Sequence, residues 1–228
     1  ALREIEHKNF SIDSLVGDTR ITDGRKIYDA IKSNLYRANV TPDTKRDKLL
    51  SQFSVIKDTT KINEKDATLG KTPLRHYTEF LYNSIYKNIR YHNSAEDYLG
   101  RFYGEFMSYS GGDGQTLGIV LTPKHITELF CDLAQLKTTD KVFDPCCGTA
   151  GFLIAAMHKM VKMTEDESQR RSIKRDQLFG IELQSYMFTI ATTNMILRGD
   201  GKSNLHNMDF LRQKPKQIQL KGCTVGMM

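Results

Sequence analysis

Three acidic residues close short stretches that read as strands in the second half of the sequence: Asp144 after Val142-Phe143, Glu182 in LFGIEL (178–183), and Asp209 after Ser203–Asn207. The densest constellation surrounds the first, in KVFDPCCGTAGFLIAAM (141–157). An apolar pair leads to Asp144-Pro145, then two cysteines, Gly148 and Gly151, then apolar residues at helical spacing (Phe152, Ile154, Ala155, Met157). That order predicts a strand, a tight turn and a helix. The glycines remove side chains where a backbone must turn sharply or let a ligand approach. The first turn of the helix offers unpaired N–H groups to a polar or anionic ligand. The carboxyl end of a strand is where open α/β sheets bind their ligands.

A single G-x-x-G after a strand serves packing as readily as ligand binding, so the other two acids decide. On successive parallel strands the three carboxylates share one sheet edge. An acid ending the second strand suits a ribose diol, because a carboxylate accepts from both hydroxyls. An acid followed by an aromatic, Asp209-Phe210, suits a purine whose amine donates to the carboxylate while the ring stacks. Ribose and adenine fit a dinucleotide or S-adenosylmethionine. A pyrophosphate loop needs G-x-G-x-x-G, and the first of those glycines is missing. Asp144 stands instead where a cationic amine would lie, which favours the amino-acid end of S-adenosylmethionine and speaks against a nicotinamide-dependent oxidoreductase.

The elements that must position these residues follow from periodicity. Four helices are expected before residue 110. The first starts at Asp23 (stripe Ile27, Ala30, Ile31, Leu35, Ala38). The second starts at Thr41-Pro42 (Leu49, Leu50, Phe53, Ile56), with threonine as cap and proline at the first helical position. The third starts at Thr72-Pro73 (Phe80, Leu81, Ile85, Ile89) and the fourth at Ser94 (Leu99, Phe102, Phe106). Lys57–Lys71 reads as a loop, and Tyr77, Tyr82, Tyr86 and Tyr91 as core or interface residues. SGGDGQTLG (110–118) reads as a flexible joint. After it come a helix from Leu121-Thr122-Pro123-Lys124 with Ile126, Leu129, Phe130 and Leu133 inward, then the glycine turn and its helix to about Met163. A solvated charged connection (164–176), a second strand (178–183), a helix (Ser185 to about Leu197) stopped by Gly199 and Gly201, and a third strand (203–207) follow. The last is a strand in GCTVGMM (222–228). Alternating strands and helices predict an α/β fold with a parallel sheet.

A hydrophobic content of 39% and a charged content of 26% are those of a soluble globular protein. The net charge of +6 points toward a polyanionic partner without specifying one. No apolar run is long enough to span a bilayer and the N-terminus has no signal-peptide pattern, so no membrane is expected and the cytoplasm is the expected location. The four cysteines lack C-x-x-C spacing, so no metal site is expected and free buried thiols are.

DPCCGTAGF resembles the first motif, typically DPxCGxGGF, of amino-type (N6-adenine) DNA methyltransferases, in particular the modification subunits of type I restriction-modification systems. The likeness extends to the segment Asp97–Tyr103, the Thr-Pro element before the glycine motif, and the three strand ends. The resemblance implies a helical N-terminal domain (1–110) contacting DNA or a partner and a joint (111–118). It implies a partial Rossmann-like S-adenosylmethionine-dependent methyltransferase domain (119–228). It implies that Thr122 and Pro123 hold the cofactor carboxylate, and that Asp144 faces its amine. The backbone of Pro145, Cys146, Gly148, Thr149, Ala150, Gly151 and Phe152 would wrap the methionine moiety. Glu182 would hold the ribose and Leu183 pack on the adenine, with Asp209 accepting from the adenine amine and Phe210 stacking on its ring. Ala150 stands where the family usually has glycine. The family's catalytic Asn/Asp-Pro-Pro-Tyr/Phe is expected directly after Met228, so no catalytic residue is assigned within the chain, and the chain by itself is expected to be inactive. Implied partners are double-stranded DNA and specificity and restriction subunits, or fused nuclease and recognition domains. The alternative is a non-catalytic nucleic-acid-binding or assembly module on a degenerate methyltransferase fold.

Overall fold

Helix α1 (Asp23–Arg37) is capped by Thr22, whose hydroxyl accepts from the Arg25 N–H at 3.2 Å, and it buries Ile27, Ala30 and Leu35 from the expected stripe. The computed structural model describes residues 5, 8–87, 121–198 and 204–213 of a chain that divides into two units, residues 1–93 and 94–228. The expected helix from Ser94, the glycine joint, the stop signals Gly199 and Gly201 and the fourth strand lie outside the described residues.

In the first unit, Phe10, Leu15, Ile27 and Ala30 form a buried cluster lined by Ile31, Ile56 and Leu74. Helix α2 (Asp43–Phe53) buries Leu49 and Leu50, but Pro42 is its cap and not Thr41. Pro42 is extended (ψ 171°) and its carbonyl accepts from the Lys45 and Arg46 N–H groups, so it stands just outside the helix and Thr41 lies one residue too early to cap it. The stretch expected as a loop holds two short turns, α3 (Val55–Asp58) and α4 (Thr60–Asn63). Buried Asn63 fixes them: its Oδ1 accepts from the Gly24 N–H at 2.6 Å, and its amide donates to the Ile56 and Thr59 carbonyls, both at 2.9 Å.

Helix α5 (Pro73–Phe80) opens as expected, with Thr72 accepting from the Arg75 N–H and Pro73 in the first position, and continues as a π-helical turn, Leu81–Tyr86. The Thr72 hydroxyl also donates to fully buried Asp23 at 2.5 Å, tying α5 to the start of α1. Tyr82 stacks on Tyr86, whereas Tyr77 and Phe80 are exposed, because α5 turns Thr78 inward. Tyr91 and Ile89 lie outside the described residues.

In the second unit, α6 (Lys124–Leu133) precedes three parallel strands in the order β1 (Val142–Asp144), β2 (Leu178–Glu182), β3 (Asn204–Asn207). The register pairs Asp144 with Gly180 and Glu182 with Asn207. Helix α7 (Gly151–Lys162) packs on β1 and β2, and α9 (Ser185–Leu197) on β2 and β3. The central strand β2 is buried along Leu178–Ile181, as a parallel strand flanked on both edges must be. The charged segment after Met163 is not a bare connection: α8 (Glu167–Asp176) forms there, capped by Asp166, with Ile173 fully buried and Lys174 and Arg175 at the end that favours positive charge.

Helix α6 differs from its expected orientation. Thr127 and Cys131 are buried, Leu129 and Leu133 are exposed, and Phe130, partly exposed, packs edge-on against Phe152 of α7. The helix packs on α7, and small side chains four residues apart fit such a close approach better than the leucines do. Among the described residues no helix is long and apolar enough to cross a membrane, and no three His, Cys, Asp or Glu side chains are grouped as metal ligands.

Candidate functional site at the carboxyl edge of the sheet

The turn after β1 takes its shape from two left-handed residues, Gly148 (φ +53°) and Ala150 (φ +71°). The Ala150 N–H bonds to the Cys147 carbonyl at 2.6 Å, and the Ala150 carbonyl accepts from Ile154, starting α7. Alanine therefore does occupy the positive-φ position where the resembling family has glycine, at a cost of about 1–2 kcal/mol. Its methyl group is fully buried.

Glu182, at the end of β2, reaches across to this turn. Its Oε2 accepts from the Gly148 N–H at 3.0 Å and its Oε1 from the Gln184 N–H at 2.7 Å. Asp144 ends β1 and accepts from the Cys146 N–H at 3.1 Å. Asp209 lies two residues beyond β3, where its Oδ1 accepts from the Leu211 N–H and its Oδ2 pairs with Arg212 at 3.2 Å. Phe210 lies against Phe143 of β1, with ring centroids 6.0 Å apart, and the Met208 N–H bonds to the Glu182 carbonyl. Asp144, the glycine turn, Glu182 and the Asp209-Phe210 pair are thus joined at one sheet edge. Leu183 is 64% exposed beside them. Thr122 and Pro123 stand exposed at the head of α6 and are linked to the turn through the packing of α6 on α7. Pro123 is the cap of α6, and no side chain caps that end.

Burial pushes the Asp144 carboxyl up, the Cys146 N–H opposes this, and the nearby Glu182 charge adds to it. The folded protein therefore holds a proton on Asp144 at pH values where the unfolded chain has lost it. Stability falls as pH rises from the ordinary carboxylate range through the raised value. A cationic ligand beside Asp144 reverses this by favouring the ionised form. Ligand affinity should then rise with pH across the same window, with proton release on binding; calorimetry in buffers of different ionisation enthalpy measures it, and pH-independent affinity would remove Asp144 from the ligand contact.

Burial, reinforced by the Asp144 and Glu182 charges, pushes the Cys146 and Cys147 thiols up, which disfavours a thiolate at either position. Cys146 is exposed, against the expectation of buried thiols, whereas its neighbour Cys147 is buried.

Two asparagines escaped the sequence reading. Asn194, fully buried on α9, donates to the Thr149 carbonyl at 3.0 Å. Asn207, ending β3, donates to the carbonyls of Glu182 and Leu183 at 2.6 and 2.9 Å. The signal for Asn194 was present: an amide inside an apolar helical run must find a buried partner.

The family described as N-6 DNA Methylase matches residues 94–222. The chain is 46% identical over 206 residues to the "Type II restriction enzyme and methyltransferase RM.BcgI" of Heyndrickxia coagulans, covering 90% of the chain and 32% of that protein. It is 28% identical over 106 residues to the "Type I restriction enzyme MjaIX methylase subunit" of Methanocaldococcus jannaschii, covering 46% of the chain and 18% of that protein. It spans under a third of the length of either relative. In fold it resembles a modification subunit of a putative type I restriction enzyme from Vibrio vulnificus YJ016, with a TM-score of 0.55, 19% identity, and coverage of 80% of the chain and 36% of that subunit.

Proposed function

This chain belongs to the N-6 DNA Methylase family, and from that membership we propose that it is the cofactor-binding part of an S-adenosylmethionine-dependent DNA adenine methyltransferase of a restriction-modification system. The observation that carries the reading is the meeting of the strand-end carboxylates Asp144 and Glu182 at a left-handed glycine turn whose Gly148 has open space where a side chain would begin. That space beside Asp144 and Glu182 fits the cofactor's amino-acid and ribose ends. S-adenosylmethionine, when bound, supplies a methyl group on a positively charged sulfur.

The chain's own residues bind and orient. Asp144 offers a carboxylate to the ammonium group, and the backbone from Pro145 to Phe152 surrounds the methionine chain. Thr122 and Pro123 would meet its carboxylate. Glu182 offers its remaining lone pairs to the ribose hydroxyls. Leu183 and Phe210 would flank the adenine, and Asp209 would accept from its amine. Holding the donor rigidly lowers the barrier by orientation rather than by a covalent intermediate. The acceptor would be an adenine flipped out of double-stranded DNA.

The helical part (1–110) would contact DNA or a partner, leaving 119–228 to the cofactor. The name of the Heyndrickxia relative joins restriction enzyme and methyltransferase, which supports a parent fused to nuclease and recognition parts. The name of the Methanocaldococcus relative, a methylase subunit, supports a separate subunit with partners instead, and the higher identity favours the fused form. The degenerate-module alternative is less well supported, since Asp144, Glu182, Asp209 and the open Gly148 are all in place.

The test uses the full-length protein. Calorimetry should show S-adenosylmethionine binding that Asp144→Asn weakens by about tenfold or more, the loss of one charge-assisted contact of roughly 1.5–3 kcal/mol. Transfer of labelled methyl groups to DNA, with N6-methyladenine identified by mass spectrometry, checks the reaction. Binding unaffected by Asp144→Asn sinks the site assignment, and absence of methyl transfer to any DNA sinks the enzyme.

A further inference from the structure

We propose that the two ends of the site are set from behind by two asparagines. Asn194 positions the glycine turn and Asn207 positions the end of β2, each acting through the backbone it holds. The inference rests on the cofactor reading above and assigns roles to residues that reading leaves unused.

Asn194 is fully buried on α9, and its amide donates to the Thr149 carbonyl 45 residues earlier in the chain. Thr149 sits between Gly148 at φ +53° and Ala150 at φ +71°. The left-handed conformation of Ala150, which costs a non-glycine residue, persists only where the surroundings over-determine it. The Asn194 amide meets the carbonyl just before it. Its orientation is itself fixed: the Arg198 Nη1 donates to the Asn194 Oδ1 at 3.1 Å, which turns the NH₂ group toward Thr149.

Asn207 does the same for the other half. Its amide donates to the carbonyls of Glu182 at 2.6 Å and Leu183 at 2.9 Å, and its Oδ1 accepts from the Ser185 hydroxyl at 3.0 Å. The hydroxyl donor fixes the amide orientation as Arg198 does for Asn194. One side chain thus ties down the ribose-binding candidate, the adenine-packing candidate and the first residue of α9. The Glu182 carboxylate, held at its backbone by Asn207, reaches the Gly148 N–H and so closes the link between the two halves. The two asparagines therefore govern different ends of one ligand: Asn194 the amino-acid end, Asn207 the nucleoside end.

That division gives a test a general loss of packing would fail. Calorimetry on the full-length protein compares S-adenosylmethionine with 5′-methylthioadenosine, which keeps the nucleoside and lacks the amino-acid end. Asn194→Ala should weaken S-adenosylmethionine by about tenfold, the worth of one buried hydrogen bond at 1.4 kcal/mol per decade, and change 5′-methylthioadenosine by less than about twofold. Asn207→Ala should weaken 5′-methylthioadenosine by about tenfold, and by only about threefold when Glu182 is already alanine, because the part of its effect that passes through Glu182 is then gone and only its hold on Leu183 remains. Equal losses of both ligands in Asn194→Ala, or an undiminished Asn207 effect in the Glu182→Ala background, overturn the proposal. If Asn194→Ala does not fold, the Asn207 and Glu182 cycle decides alone. Wild-type protein that binds neither ligand overturns the cofactor reading together with this one, whereas wild-type binding with uniform or additive losses overturns this one only.

Discussion

Gly148→Val should weaken S-adenosylmethionine binding by about a hundredfold or more, roughly 2.7 kcal/mol, in a protein that still folds. The two effects separate because of where the glycine sits. A Cβ built at Gly148 meets no protein atom within 4 Å beyond its chain neighbours, so the site has room for the start of a side chain. The φ of +53° is one that β-branched residues avoid, which costs about 1–3 kcal/mol of stability. The bond from the Gly148 N–H to Glu182 survives any residue type, since the backbone supplies the donor. What the isopropyl group does fill is the open space beside the turn, which the proposed reading gives to the ligand. Gly148→Ala should fall between, with a smaller group in the same space. Thermal unfolding beside calorimetry resolves both parts. An affinity unchanged in Gly148→Val would mean that the open side of this turn is not where the ligand binds.

The turn was legible because glycines, a strand-end acid and helical spacing are all local signals. That the three strand ends share one edge was legible because parallel topology leaves few places for successive strand ends. Other features resisted reading for physical reasons. Thr-Pro occurs at 41–42, 72–73 and 122–123, and the three pairs look alike in sequence. Only around Thr72 does the threonine hydroxyl cap the helix; Pro42 and Pro123 are themselves the caps. The difference at Thr72 is tertiary, since its hydroxyl also donates to buried Asp23, 49 residues away. Helix α6 shows the same limit. Its leucines made the more apolar stripe, yet the close neighbour α7 selected the face with Thr127 and Cys131. The charged segment after Met163 looked like a connection because its one core contact, Ile173, gives no periodicity by itself. Asn194 and Asn207 resisted in a different way: the apolar run around Asn194 implied a buried partner without saying which. Their partners are backbone carbonyls, which carry no residue identity for a sequence pattern to register.

Gly24→Ala should destabilise the first unit by about 3 kcal/mol, at the upper end of what overpacking costs. Helix propensity alone predicts the opposite sign, because alanine is favoured over glycine inside a helix by about 1 kcal/mol. Contact geometry decides against propensity. A methyl group at Gly24 would lie 2.0 Å from the Ile56 carbonyl oxygen and 2.8 Å from the Asn63 Oδ1. A rotamer change leaves the first clash in place, since the offending atom is backbone. Helix α1 and the α3–α4 turns would have to separate, and that stretches the 2.6 Å bond from the Gly24 N–H to Asn63. Asn63 also holds the Ile56 and Thr59 carbonyls, so the three bonds should weaken together. Gly70→Ala is the matched control: its φ is +65° but the surrounding space is empty, so only backbone strain of about 1 kcal/mol applies. Hydrogen exchange at the amides of α1 and α4 reports this unit separately from the sheet. Protection in Gly24→Ala should fall by about two orders of magnitude, and by far less in Gly70→Ala. Equal protection in Gly24→Ala and wild type would show that α1 does not rest on the 55–63 turns as closely as the Gly24–Ile56 approach requires.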